Sequence, residues 1–354
     1  MNKILIYGAG ALGRGFLSPT FFNAGYEVFF VDKDPKIINL LNRRIKCYKT
    51  AQTVNNQYKI QDVYYQKAFL FGEEDNILQE MDFILTSVGQ RNLSKISKKF
   101  RNTKTIISFE NDSYSTHQIK KDSGNNNCYF GIPDVIVSNT SPQDLQQIDP
   151  LCVVSECGEL ILEKGEYDID DSISQVGKKE MDERWACKFF LHNTPHASIA
   201  YLGWKNGHQY IHEAMKDGSI YEITVEIINI IKKCLIKKRI VNPKLANYYT
   251  KRELERFKNQ LLYDPISRVA REPFRKLGSN DRLISCLRLI DECDENVIPL
   301  CKVINSVFEY NNPLNDDGIV QLVIRNGKYS ILNNICRIRS DENLFKLILN
   351  CDFV

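Results

Sequence analysis

Residues 3–34 read KILIYGAGALGRGFLSPTFFNAGYEVFFVDKD, and this stretch decides the fold. It opens with a compact apolar run, Lys3–Tyr7, of strand length and composition. Gly8, Gly10 and Gly13 follow in G-x-G-x-x-G spacing, then an amphipathic helical pattern through about Asn23. A second apolar run, Glu27–Val31, ends in Asp32. Each part has a physical job. Gly8 permits a tight turn, Gly10 lets the backbone approach a pyrophosphate, and Gly13 allows close packing of helix on strand. The helix N-terminus offers N–H groups to the phosphates. The expected cradle is therefore Gly8, Ala9, Gly10, Ala11, Leu12 and Gly13. Asp32 is placed to accept hydrogen bonds from both ribose hydroxyls. Its charge repels a 2′-phosphate, so NAD is favoured over NADP, although Lys33 and Lys36 stand nearby.

Outward from this motif the strands continue in rhythm. DFILTSVG (Asp82–Gly89) reads as a buried parallel strand, and TIISFEND (Thr105–Asp112) as another. Ligands in an open α/β sheet bind beyond the carboxyl ends of the strands. Ser87, Val88 and Gly89 are thus expected to face the cofactor, and Glu110 and Asn111 the nicotinamide or the substrate. CVVSECGELILE (Cys152–Glu163) is a strand-like run expected to close the first domain, and SGNNN (123–127) reads as a surface loop. After about Asp182 strands vanish, and helical periodicity covers 187–202, 208–238, 249–263 and several segments from 281 to 351. The fold class is α/β: a Rossmann-type dinucleotide-binding domain over 1–184, then a mainly α-helical domain over 185–354.

Bulk properties agree. A chain of 354 residues favours two domains. Hydrophobic residues at 43% and charged residues at 26% are globular values, and a net charge of +3 is too small to call for a nucleic-acid partner. The eleven cysteines contain no C-x-x-C pair, which points to free thiols in a reducing cytoplasm and gives no zinc-ligand spacing. The apolar run at the N-terminus is too short for a secretory signal, and no window approaches a membrane span. A soluble cytoplasmic protein is expected, a monomer or small homo-oligomer.

In the second half, ACKFFLHNTPHASIAYLG (Ala186–Gly203) sets a lysine, an asparagine and two histidines in an otherwise core-like run. Buried polar groups cost free energy unless they are hydrogen-bonded, so these are either satisfied structural polars or chemistry. Lys188, Asn193 and His196 stand at i, i+5 and i+8. A regular α-helix puts the latter two about 140° and 80° from Lys188, leaving the lysine offset. Pro195 suits the first turn of a new helix capped by Asn193 or Thr194. A chain break there would turn Lys188 and His196 into one cleft.

Lys-x4-Asn-x2-His resembles the catalytic signature of the polyol-specific long-chain dehydrogenases. YGAGALGRGF (7–16), HNTPHASIAYLGWKNGHQYIHEAMKDGSI (192–220) and DPISRVAREPFRKLGSNDRL (264–283) are similar to that family's hallmark segments, in the same order. The resemblance implies a metal-independent oxidation of a secondary alcohol with hydride transfer to NAD. Its substrate would be a small sugar or polyol phosphate, the pair mannitol 1-phosphate and fructose 6-phosphate, with no nucleic acid or membrane involved. Lys188 would be the general base in oxidation and the general acid in reduction. Asn111 and Asn193 would donate hydrogen bonds to the reacting oxygen, and His196 would orient or bind the substrate. Arg268, Arg271, Arg275, Lys276 and Arg282 fall within fifteen residues. They read either as a phosphate grip or as a solvated face paired with Asp264, Glu272 and Asp281. Three departures stand out: Pro195 replaces a glycine, an Asp-Arg pair expected near Ser138–Asn139 is missing, and Leu160 stands where a tryptophan is expected. A hexuronate or unphosphorylated ketose reductase, or an NAD-binding sensor without turnover, are the competing readings.

Overall fold

The computed structural model describes residues 1–138, 142–312 and 318–351, in two units, Met1–Asp182 and Glu183–Val354. Among its described residues the first unit carries twelve strands: β1 (Lys3–Tyr7), β2 (Glu27–Asp32), β3 (Cys47–Val54), β4 (Gln57–Tyr64), β5 (Lys67–Leu70), β6 (Phe83–Thr86), β7 (Thr105–Ser108), β8 (Cys128–Asp134), β9 (Val137–Ser138), β10 (Val154–Glu156), β11 (Glu159–Glu163) and β12 (Ser174–Val176). Eight form one sheet in the order β12-β11-β8-β7-β6-β1-β2-β5, and every pair from β8 to β5 is parallel. Numbered along the chain, those six strands run 3-2-1-4-5-6, the dinucleotide-binding order, with its reversal between β1 and β6. A parallel sheet is covered on both faces, which is why the centres of its strands are apolar on both sides. Ile4, Ile6, Leu85 and Ile107 enter one core cluster, while Leu5, Tyr7, Ile84 and Ile106 enter the other. The Rossmann-type reading holds.

Two expectations need correction. The run 152–163 is not one closing strand. Its first half, β10, joins a separate sheet of order β4-β3-β10-β9, and its second half, β11, pairs antiparallel with β8. The chain changes sheets at Cys157 and Gly158, where a Cβ on Gly158 would lie 2.7 Å from the Asp134 carbonyl oxygen. The small sheet braces the glycine turn: Tyr48 Oη donates to the Arg14 carbonyl at 2.7 Å. The stretch 123–127 is likewise no plain surface loop. Asn125 is buried, its Nδ2 donating to the Phe100 and Thr103 carbonyls at 2.9 and 2.8 Å.

Among the described residues the second unit is helical apart from one bridge between Tyr210 and Pro265. Its centre is the helix Thr194–Lys205, buried at every position from Thr194 to Gly203. Other helices are Gly218–Lys237, Pro243–Phe257, Arg282–Asp291 and Ile298–Val307. The pattern over 208–238 is divided because Asp217 caps a new start, accepting from the N–H groups of Ser219 and Ile220. The pattern over 249–263 starts earlier, at Pro243, capped by Asn242, and stops at Phe257.

Asn125→Ala strands the buried Thr103 carbonyl, while that of Phe100 keeps the Thr103 N–H and hydroxyl, so a loss of ~1–2 kcal/mol is expected, read as a lower denaturant midpoint with an unchanged slope. A change under ~0.5 kcal/mol would show that water replaces the amide.

Candidate active site

In the first unit the ends of β1, β2, β6 and β7 gather the expected cofactor residues. Gly8 has φ +105°, and its N–H donates to the Val31 carbonyl at 2.8 Å. A Cβ on Gly13 would collide with the Gly8 carbonyl oxygen, while one on Gly10 would meet no protein atom within 4 Å. The first is a packing contact. The second is open space of the kind a pyrophosphate needs, beside the helix that starts at Ala11 and Leu12. The residues present fit a dinucleotide. Asp32 also holds the loop: Oδ2 accepts from Ala9 N at 2.7 Å and Oδ1 from Asp34 N at 2.9 Å. Ser87 Oγ donates to the carbonyls of Tyr7 and Gly8 at 3.3 and 3.4 Å.

Beneath the loop lies Arg14, which sequence reasoning passed over. It is buried, bonded to the Ala9 carbonyl and, through Nε at 3.3 Å, to that of Leu151. Burial lowers its pKa, opposed by Tyr48 and Asp32. Asn111 is exposed just past β7, but its neighbour Glu110 does not face outward with it. The Glu110 carboxylate is buried and accepts from Val88 N at 2.9 Å and Gly89 N at 2.8 Å. It ties the β6 loop to the β7 loop and occupies the two amides expected to meet the cofactor. Burial raises its pKa against the pull of those N–H groups.

In the second unit the expected break at Pro195 does not occur. Cys187–Asn193 is a widened, π-type turn running directly into the helix Thr194–Lys205. Pro195 has no N–H to close a regular turn, and the wide turn sits immediately before it. Because a π turn closes at i+5 rather than i+4, Asn193 comes round nearly above Lys188, and His196 follows at i+3 on the same face. Register alone removes the offset. All three are buried, with 8%, 6% and 8% of their surfaces exposed. So is His192, whose ring centroid lies 5.1 Å from that of His196.

Both histidines are carboxylate-bound. His192 Nδ1 lies 2.5 Å from Glu253 Oε2, and His196 Nε2 lies 2.8 Å from Asp264 Oδ2. Burial pushes His192 down to about 4 against the opposing pull of Glu253, and burial likewise lowers His196 against Asp264. Burial raises Asp264, but Arg268 and His196 outweigh it and hold the carboxyl at about 2. Sequence reasoning missed Glu253; the only signal was a histidine at 192 facing an apolar core.

Asp264 also joins this helix to the basic block, accepting from Arg268 Nε at 2.7 Å. Arg275 pairs with Glu272 and Asp281, and Arg282 with Asp281. The buried Lys276 Nζ donates to the Arg271 carbonyl. Burial, then Arg282 and Arg275, push Lys276 well down, and burial with neighbouring guanidinium groups lowers Arg271. The structure therefore brings Lys188, Asn193, His196 and the basic block together within one unit, and the cradle residues with Asn111 within the other. Ser138 and Leu160 are buried, and Asn139 lies outside the described residues. All eleven cysteines are free. Among the described residues no group of three or more His, Cys, Asp or Glu is placed to hold a metal, and no helix is long and apolar enough to cross a membrane.

Comparison with known proteins agrees with this layout. Residues 2–157 match the mannitol dehydrogenase Rossmann domain, and 182–351 match the mannitol dehydrogenase C-terminal domain. A mannitol-1-phosphate 5-dehydrogenase of Clostridium acetobutylicum is 31% identical, over 98% of this chain and 97% of that protein. One from Mycoplasmopsis pulmonis is 30% identical, over 92% and 91%. Among solved structures, Pseudomonas fluorescens mannitol 2-dehydrogenase with NAD and D-mannitol superposes with a TM-score of 0.75 at 13% identity, covering 99% of this chain and 89% of that one.

An unfolded histidine titrates near 6.5, so between 6.5 and about 4 the unfolded chain binds a proton that folded His192 refuses. The His192 contribution to stability is thus complete above 6.5 and lost as pH falls towards about 4. Denaturant midpoints across that window should fall more steeply in the parent than in His192→Gln; equal slopes would show that His192 titrates normally.

Proposed function

The chain belongs to the mannitol dehydrogenase family, and from that premise we propose an NAD-dependent dehydrogenase interconverting mannitol 1-phosphate and fructose 6-phosphate without a metal. The observation that carries this reading is a lysine-bearing buried face joined through Asp264 to a block with surplus positive charge. The surplus is local: Arg271 and Lys276 crowd other cations, whose push outweighs the pull of Glu272 and, at Lys276, of Asp281. A phosphate dianion relieves that repulsion, whereas a neutral ketose leaves it in place. Arg268, Arg275 and Arg282, already paired with acids, shape the grip.

When bound, NAD supplies the hydride acceptor for the carbinol carbon. Lys188, as the unprotonated amine, takes the hydroxyl proton in that direction and returns it in reduction. Burial disfavours an ammonium, which suits a lysine to this work. Asn193 donates side-chain N–H to the oxygen as its charge changes. His196 binds a substrate hydroxyl. The ribose end of the cofactor is read by Asp32, beside the amides of the Gly8–Gly13 turn and the loop Ser87–Gly89.

Purified protein is expected to oxidise NADH with fructose 6-phosphate and to do so poorly with fructose, tagaturonate or fructuronate. A preference for any of the latter overturns the phosphate assignment. Lys188→Ala should lower kcat ~10²- to 10⁴-fold while NADH still binds by fluorescence titration. Near-normal turnover removes Lys188 from the chemistry. Asp32→Ala should erode the preference for NAD over NADP by ~10-fold or more, since it removes the charge that repels a 2′-phosphate. An unchanged ratio contradicts its role.

A further inference from the structure

Two histidines one helical turn apart share the face of Phe257. The His196 ring lies 5.2 Å from the phenyl ring at 25°, and His192 lies 5.4 Å from it at 32°. Each is bound to a carboxylate through a different ring nitrogen, Nδ1 in His192 and Nε2 in His196. We propose that Glu253 and Asp264 are positioning residues that lock the two histidines in opposite neutral tautomers, so that His196 presents a bare Nδ1 as the acceptor for a substrate hydroxyl. The substrate half of this statement rests on the polyol reading above; the tautomer half does not.

The argument is one of donors and acceptors. An ionised carboxylate can only accept, so the imidazole nitrogen facing it must carry the hydrogen. Both carboxylates are held ionised by guanidinium groups. Glu253 Oε1 accepts from Arg252 Nη2 at 2.8 Å and Arg256 Nη1 at 2.7 Å, and Asp264 Oδ1 accepts from Arg268 Nε at 2.7 Å. A neutral imidazole has one N–H, and once that is committed the other nitrogen is an acceptor. His192 is therefore Nδ1–H and His196 is Nε2–H.

Neutrality follows from the surroundings. His192 is faced by Glu253, Arg256 and His196; His196 is faced by Asp264, Arg268 and Arg256. Glu253 and Asp264 each favour a second proton on their histidine, but burial outweighs that pull, arginine opposes it, and two imidazolium ions 5.1 Å apart would repel. Among the described residues no group hydrogen-bonds His196 Nδ1, and 10% of that side chain remains exposed. The consequence for the reaction is a division of labour: His196 accepts one hydroxyl hydrogen and moves no proton, leaving proton transfer to Lys188. An arginine–carboxylate–histidine chain also makes the acceptor sensitive to the charge at position 264 rather than to its shape.

The test is a two-bond proton–nitrogen spectrum of ¹⁵N-histidine-labelled protein at neutral pH, assigned with His192→Gln and His196→Gln. The expected result is Nε2–H on His196 and Nδ1–H on His192. Nδ1–H or a doubly protonated ring on His196 overturns the proposal. This readout needs no turnover, so it stands even if the protein rejects every polyol phosphate, an outcome that would sink only the substrate half. In the activity arm, Asp264→Asn keeps the shape and removes the charge. It should raise the KM for fructose 6-phosphate ~10- to 100-fold, with kcat less affected and the KM for NADH unchanged, as expected for one misdirected hydrogen bond. A KM within twofold of the parent overturns the positioning role. If the variant does not fold, the spectrum of the parent still decides.

Discussion

The second unit depends on a single backbone feature, the widened turn between Cys187 and Asn193. In a regular α-helix the lysine and asparagine of this segment point to different sides. The π turn brings them into register with the following histidine, and it does so next to a proline that could not have closed a regular turn. Irregular helix geometry of this kind costs free energy and persists only where the surroundings over-determine it. Here they do. Thr194 Oγ1 donates to the Arg282 carbonyl at 2.9 Å, Tyr201 Oη donates to that of Ala270 at 2.8 Å, and His192 is tied to the helix Pro243–Phe257 and His196 to the loop at Asp264. A second widened turn, Gly13–Leu17, follows the dinucleotide loop. Both irregular helices therefore coincide with the segments to which the proposed chemistry is assigned.

How much of this was legible in the sequence divides along physical lines. The dinucleotide cradle was, because its demands are local: glycines at fixed spacing, an apolar strand on either side, and an acid at the end of the second. The parallel core strands were, because double burial writes itself as continuous apolar runs. What could not be read were partnerships between distant residues. Nothing near Glu110 says that its carboxylate turns back onto the amides of residues 88 and 89, and nothing near His192 points sixty residues on to Glu253. The change of sheet at Gly158 was hidden for a related reason. A run of apolar residues records burial but not which sheet it is buried in. The helical offset of Lys188 was misread because a 100° period was applied to a segment that does not have one.

Carboxylates recur at each of these places, buried except for the half-buried Asp32, and each is satisfied in a way that fixes a loop or a ring. Asp32 holds Ala9, Glu110 holds the β6 loop, Glu253 holds His192 and Asp264 holds His196. A buried anion is tolerated only when its lone pairs are filled, so the same free-energy demand that makes it costly also makes it directional. Losing one partner leaves an unpaired charge, which costs more than the pair contributes. Such groups are therefore better described as fixing geometry than as adding stability.

The basic block follows the opposite logic. Arg268, Arg275 and Arg282 have acidic partners, whereas Arg271 and Lys276 have surplus charge held at close quarters. In the proposed reading, satisfied carboxylates would make the site rigid before substrate arrives, and the crowded cations would leave it incomplete until an anion does. Preorganisation and crowded charge are complementary: the first lowers the ordering cost of binding, and the second would favour a dianion in the bound state. A site built only from satisfied pairs would have no electrostatic reason to prefer a phosphorylated substrate over its neutral parent.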